Sequence, residues 1–162
     1  MTYTIRKIVE GIENMTLASA ALLYAGEGWP VLPCEPRSKR PCGHLVPRGV
    51  KDATIDLAVI REWWRREPFA NIGLAMGSGF MVLDLDGEEG MASLRQLEAE
   101  RGKLPFTRSV ITGGGVHFYF FYDPDVKVVS RRIAPGIDVR GPGTYVIAPP
   151  SVHENGRVYT NV

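Results

Sequence analysis

Residues 71–90 read NIGLAMGSGFMVLDLDGEEG, and the fold turns on how they are divided. Two apolar, β-rich runs flank Gly77-Ser78-Gly79, a tight connection of the kind that joins the strands of a hairpin. The second run ends in two aspartates one residue apart. Side chains at i and i+2 of a strand share a face and lie about 6.5 Å apart along it, so Asp84 and Asp86 project together while Leu83 and Leu85 point the other way. Two carboxylates so close repel when both ionise, and a divalent ion such as magnesium or manganese would relieve that repulsion. For an isolated Asp-x-Asp, a solvated strand face is the commoner explanation. The pair needs company before it signifies chemistry.

Working outward, TLASAALLYAGEG (16–28) has Thr16 as a candidate N-cap, an Ala- and Leu-rich body and glycines as a stop, which predicts a helix over about 16–26. WPVLPC (29–34) reads as a short strand. The stretch 35–51 is rich in Pro, Gly, Lys and Arg without a period, the pattern of a surface loop and a candidate binding loop. In ATIDLAVIREWWRRE (53–67), Ile55, Val59 and Trp63, widened by Ile60 and Trp64, predict a second helix ending at Pro68. GMASLRQLEAERG (90–102) predicts a third, stopped by Gly102. Then come TRSVIT, VHFYFFY, GIDVR, TYVIAPP and RVYT, short β-rich runs parted by Gly, Pro or Asn155-Gly156. Helices early and strands late point to an α+β, or mixed α/β, domain.

The chain has 162 residues, 44% hydrophobic and 23% charged, which suits one domain, residues 1–162, that buries roughly two thirds of its unfolded surface. A net charge of +1 requires any nucleic-acid partner to be met by local clusters rather than a basic whole. No secretory leader is visible in residues 1–16 and no apolar stretch is long enough to span a bilayer, so a cytoplasmic protein without membrane association is expected. Cys34 and Cys42 are too few for a disulfide framework. With His44 they make only three of the four ligands that zinc wants, so zinc is not expected.

Two further stretches add chemistry. In TGGGVHFYF, three glycines between β-rich runs make a turn whose backbone N–H groups can approach a phosphate closely, with His117 beginning the next strand. No lysine follows at the place a Walker A loop requires, and a lone strand histidine is more often a core residue. GIDVRGPGTYVIAPPSVH (136–153) places Asp138 and Arg140 on one strand face, which alone reads as a surface ion pair, and Ser151 and His153 in a turn. Arg37, Lys39 and Arg40 in the loop, and Arg61, Arg65 and Arg66 on the second helix, are candidates for tracking template phosphates; a solvated helix face explains the latter trio equally well. Trp63 and Trp64 can stack bases, but an amphipathic helix makes core packing the better reading. Together the stretches supply three carboxylates, a phosphate-suited turn and several cations, the parts that metal-dependent phosphoryl transfer uses.

FMVLDLDG resembles the opening of haloacid-dehalogenase-type phosphatases, whose strand ends in DxDG followed by Thr. Glu88 stands where that Thr would be, and the later lysine and paired acidic motif have no counterpart here. A broader resemblance covers about residues 16–160. GWPVLPCEPRSKRP, DATID with WW, NIGLAMG, VLDLD, TGGGVHFYF and GIDVRGPGTYVIAPPSVHENGRVY, in this order, resemble the N-terminal catalytic domain of bifunctional primase-polymerases, of the archaeo-eukaryotic primase superfamily.

That resemblance implies an RRM-like catalytic β-sheet with an N-terminal α/β unit. It implies template-directed nucleotidyl transfer with two magnesium or manganese ions, single-stranded or primed DNA as template and nucleoside triphosphates as substrates. It also implies a replication setting in a plasmid or phage, with a helicase domain or protein as a partner and this domain excised from a longer chain. By position, Asp84, Asp86 and Asp138 would be the catalytic metal ligands, and His117 would contact the incoming triphosphate. Lys39, Gly114, Gly115, Arg140, Ser151 and His153 lie in shared blocks and are assigned to nucleotide binding. Many relatives carry glutamate where Asp86 stands, one methylene longer. A non-catalytic module binding DNA or nucleotide is the remaining alternative.

Overall fold

Three successive positive backbone φ angles, 113° at Gly77, 52° at Ser78 and 90° at Gly79, turn the chain sharply between the two runs of residues 71–90. Gly77 and Phe80 exchange backbone hydrogen bonds of 2.9 and 3.0 Å across this turn, yet the flanking strands do not form the expected hairpin. In the computed structural model, which describes residues 11–162, they diverge into two sheets. The N-terminal segment 1–10, read above for a leader, lies outside the described residues. Strand β2 (Asn71–Ala75) pairs antiparallel with β1 (Val31–Cys34) and β8 (Tyr145–Ala148). Strand β3 (Phe80–Asp86) instead pairs antiparallel with β5 (Gly115–Phe121) and β7 (Ile137–Arg140). Composition explains the split. β2 is buried along nearly its whole length and needs cover on both faces, whereas β3 is buried on opposite faces at Val82 and Leu85 and ends in half-buried Asp84 and exposed Asp86.

The larger sheet has the order β6-β7-β3-β5-β4-β9, with β4 at Ser109–Ile111, β6 at Arg131–Ala134 and β9 at Thr160–Asn161. β6 was not predicted, because Arg131-Arg132-Ile133-Ala134 lacks alternation. It is an exposed edge strand, and its two arginines discourage pairing with another chain.

Helix α1 (Leu17–Gly26) starts where predicted, with the Thr16 hydroxyl oxygen accepting the Ser19 N–H at 3.2 Å. Helix α2 (Leu57–Arg66) is capped by Asp56, whose carboxylate accepts the N–H groups of Ala58 and Val59. Its buried stripe is Ile60, Trp63 and Trp64; Ile55 precedes the helix, and it and Val59 are exposed, so the predicted stripe is rotated. The tryptophans are core residues, and Trp64 Nε1 donates to the Ala70 carbonyl at 3.0 Å. Helix α3 (Gly87–Arg101) follows β3 without a linker, carrying Glu88 and Glu89 in its first turn, where the helix dipole favours acids.

One apolar cluster joins α1, α2, the three-stranded sheet and part of the six-stranded sheet through Val82, Val110 and Tyr119. α3 lies against β3, β5 and β7. Leu85 and Ile137 are buried outside the main cluster, beneath this helix, and complete burial of one such side chain contributes about 1.5–3 kcal/mol. Cys34 and Cys42 are buried free thiols within the main cluster, and burial raises them to about 12 and about 11. His44 is paired with Glu67 at 3.0 Å. The order and pairing of elements make the chain an α+β protein, two antiparallel sheets with three α-helices among the described residues.

Candidate active site

The register of the six-stranded sheet aligns residues that lie far apart in the chain. Asp84 on β3 faces His117 on β5 and Asp138 on β7; Asp138 faces Arg132 on β6. Directly opposed residues of antiparallel strands share a face and bring their side chains together. The row Arg132–Asp138–Asp84–His117 therefore crosses four strands, and Val110 on β4 continues it into the core.

Each carboxylate oxygen in this row has a basic neighbour. His117 Nε2 lies 3.4 Å from Asp84 Oδ1, an ion-pair distance rather than a tight hydrogen bond. Arg140, one pleat along β7, donates from Nε and Nη2 to Asp84 Oδ2 at 3.2 and 3.1 Å, and its Nη2 lies 3.5 Å from Asp138 Oδ2. Arg132 donates to Asp138 Oδ1 at 3.1 Å and Oδ2 at 3.4 Å. Burial pushes the Asp84 carboxyl up, but the His117 contact and the Arg140 guanidinium together outweigh it and hold the group below its ordinary value. His117 Nδ1 and the Tyr119 hydroxyl beside it are buried without a hydrogen-bond partner among the described residues. Arg108 stacks over the Tyr119 ring at 4.6 Å.

Asp84, His117 and Arg140 floor a cleft of about 300 Å³ walled by Lys39, Tyr145 and Tyr159. A second hollow of about 310 Å³ adjoins it, sharing Lys39 and Tyr159 and adding Arg37, Arg40 and His153. Lys39 is held at this junction because its loop is pinned. The Tyr145 hydroxyl donates to the Lys39 carbonyl at 2.7 Å, and Asn71 Nδ2 donates to the Ser38 carbonyl at 3.0 Å. The predicted binding loop thus folds against β2 and β8 and presents a cation to the carboxylate floor.

Other expected residues lie off the cleft. Ser151 is fully buried, and its hydroxyl oxygen accepts the Ile72 N–H at 2.8 Å, which anchors β2 rather than reaching a ligand. The glycine turn differs from the expected phosphate cradle. The N–H groups of Gly114 and Gly115 are taken by the Thr112 hydroxyl oxygen at 3.3 and 2.9 Å. Gly115 is required for close approach, since a Cβ there would fall 1.8 Å from the Leu85 carbonyl oxygen. Asp86 shares the face of Asp84 but is exposed at the N-cap of α3, where its side chain makes no capping bond.

Several residues at this site were not found in the sequence: Arg132, Tyr145, Tyr159 and Thr144. Arg132 sits on a short exposed strand without alternation, and the tyrosines lie in runs read only as strands, so no local signal marks them.

The donor chemistry fits a hard cation. Asp84 and Asp138 present only oxygens, and the Arg140 guanidinium between them shows that the pair shares a single positive group. Among the described residues, no three His, Cys, Asp or Glu are grouped tightly enough to hold an ion alone. Magnesium commonly takes one or two carboxylates and completes its shell with water and substrate phosphate.

Residues 21–162 match the family described as bifunctional DNA primase/polymerase, N-terminal, and the chain belongs to that family. The family's activity is primase/polymerase nucleotidyl transfer, generally dependent on divalent metal, with DNA template and nucleotide substrates. No curated protein matches the chain. The phosphatase resemblance rested on the DxDG motif alone, and a family match across residues 21–162 replaces it. No helix of the described residues is long and apolar enough to cross a membrane.

Proposed function

We propose that this chain carries the nucleotidyl-transfer centre of a primase-polymerase, acting in the cytoplasm in the replication of a plasmid, phage or similar element. The observation that supports it best is the cross-strand row Asp138–Asp84–His117 beneath a cleft whose walls carry Lys39, Arg140 and, in the adjoining hollow, His153. In the proposed reaction a primer 3′-hydroxyl, or that of a first nucleotide, attacks the α-phosphate of an incoming nucleoside triphosphate in line with the departing pyrophosphate. Asp84, Asp86 and Asp138 would hold the divalent ions, magnesium or manganese, which would supply charge to favour the attacking hydroxyl's deprotonation and to neutralise the leaving group.

The chain's own residues bind and orient. His117 lies at the floor with Nε2 3.4 Å from Asp84 Oδ1, and in this reading it contacts a phosphate oxygen rather than acting as general base. Lys39, at the junction of the two hollows, holds the triphosphate as a point charge, and Arg140 supplies a planar fork suited to two phosphate oxygens. The Tyr145 and Tyr159 rings form an apolar wall against which a base or sugar can rest.

The test is incorporation of labelled nucleotide on single-stranded DNA, with and without primer, in magnesium and in manganese. Template-dependent incorporation that disappears in Asp84→Ala, Asp86→Ala and Asp138→Ala is the expected result. Full extension by an Asp84→Ala/Asp86→Ala double variant overturns the assignment. DNA or nucleotide binding by the native chain without turnover identifies a non-catalytic module instead.

A further inference from the structure

Two arginines and a histidine give every oxygen of Asp84 and Asp138 a partner. His117 and Arg140 take the two oxygens of Asp84, while Arg132 and Arg140 take those of Asp138, all within 3.1–3.5 Å. A divalent ion entering between these carboxylates meets a guanidinium already in place, and two cations cannot share the space without strong repulsion. One arginine must move.

The two arginines differ in where they can go. Arg132 lies on the exposed edge strand and outside the cleft lining, and its hydrogen bonds go to Asp138. Arg140 bridges both carboxylates and also lines the cleft, with Lys39 and Thr144 on the wall around it. Its side chain is 38% exposed, so it has room to swing without disturbing the core. An anionic triphosphate in the cleft would offer the guanidinium a second, more highly charged partner.

We propose that Arg140 is an exchangeable counter-ion that keeps the Asp84–Asp138 pair closed to divalent ions until a triphosphate draws its guanidinium away. The proposal rests on the nucleotidyl-transfer reading of this site and adds a rule to it: metal binding is conditional on nucleotide. Linkage makes the rule reciprocal, since whatever triphosphate gains by recruiting Arg140 appears as tighter metal binding by the same factor. Such a device withholds the ions from an empty site and admits them with substrate.

The test uses manganese alone, titrated into the folded chain without nucleotide and followed by loss of the free-ion paramagnetic resonance signal. Arg140→Gln is expected to bind manganese more tightly than the native chain, within the range of about 5- to 150-fold typical of coupled sites. The same variant is expected to bind a fluorescent nucleoside triphosphate more weakly in EDTA. Opposite shifts in one variant are not produced by a merely structural residue. Arg140→Lys, which keeps the charge without the bridging fork, is expected to show a smaller gain for manganese and guards against loss of folding in the first variant. Absence of a gain in both variants overturns the proposal and leaves the nucleotidyl-transfer reading standing. A tight manganese site that persists in Asp84→Asn/Arg140→Gln overturns the metal assignment itself, and the proposal with it.

Discussion

The two faces of β3 are separated by a single peptide step and have opposite fates. Leu85 is fully buried beneath α3, where Gly90 packs so closely that a Cβ there would touch the Leu85 backbone at 3.2 Å. Asp84, on the other face, is also mostly buried, but among charged groups. That second face is itself divided. Toward the glycine turn, Val82 and Tyr119 join the main core, and Trp29 covers the neighbouring Phe80 ring at a centroid distance of 3.9 Å. One pleat further the apolar cover ends, and Asp84, His117 and Asp138 floor the cleft or border it. A catalytic face can therefore be the unfinished part of a core face. In the proposed reading, the same strand supplies rigidity from its closed side and chemistry from its open side.

Substitutions on the two faces are expected to separate activity from stability. The largest expected effect is on the open face. Asp84→Ala lowers primer extension by at least about 10²–10³-fold, the cost of removing one group that holds transition-state charge, while thermal melting still shows a cooperative fold. On the closed face, Leu85→Ala destabilises by about 2–5 kcal/mol in urea melts but retains activity per folded molecule. A crossed result, with Asp84→Ala unfolding the chain or Leu85→Ala killing activity without loss of stability, breaks the comparison.

Smaller effects sharpen it. Ser151→Ala leaves the Ile72 N–H buried without its acceptor and should cost about 1–3 kcal/mol, with nucleotide affinity unchanged, because the hydroxyl lies away from the cleft. Acid unfolding tests the charge on the open face. The Asp84 carboxyl is depressed in the folded chain, so its contribution to stability is complete above its ordinary value of 3.8 and is lost as pH falls through the lower folded value. Asp84→Asn is expected to flatten the loss of stability with falling pH in that acid range. At the bottom of the scale, Phe106 is 99% exposed on neither face, and Phe106→Ser should change stability by less than about 0.5 kcal/mol.

Much of the site was legible because its parts are local. The alternation in MVLDLD places Asp84 and Asp86 opposite Leu83 and Leu85, and VHFYFF does the same for His117 and Tyr119; the structure keeps both arrangements. Arg140 was read with Asp138, its neighbour on the strand, yet its shorter contacts are to Asp84 on the next strand. Ser151 was assigned to nucleotide binding because it lies in a block shared with the resembled family, and in the structure its buried hydroxyl oxygen accepts the Ile72 N–H of β2. Arg132 gave no sign at all, since only the pairing of β6 with β7 brings it to Asp138.

The sequence by itself determined the helix start at Thr16, the face of each alternating strand, and which side chains are capable of holding phosphate or a hard cation. These follow from caps and periodicities that operate over a few residues. The tertiary structure alone decided that β2 and β3 part at their glycine turn, that Asp138 falls opposite Asp84, and that Arg140 lies between them. A period of two assigns a residue to a face but names no partner strand. Register is chosen by which pairing buries the most apolar surface across the whole sheet, and that sum is not written in any short stretch of the chain.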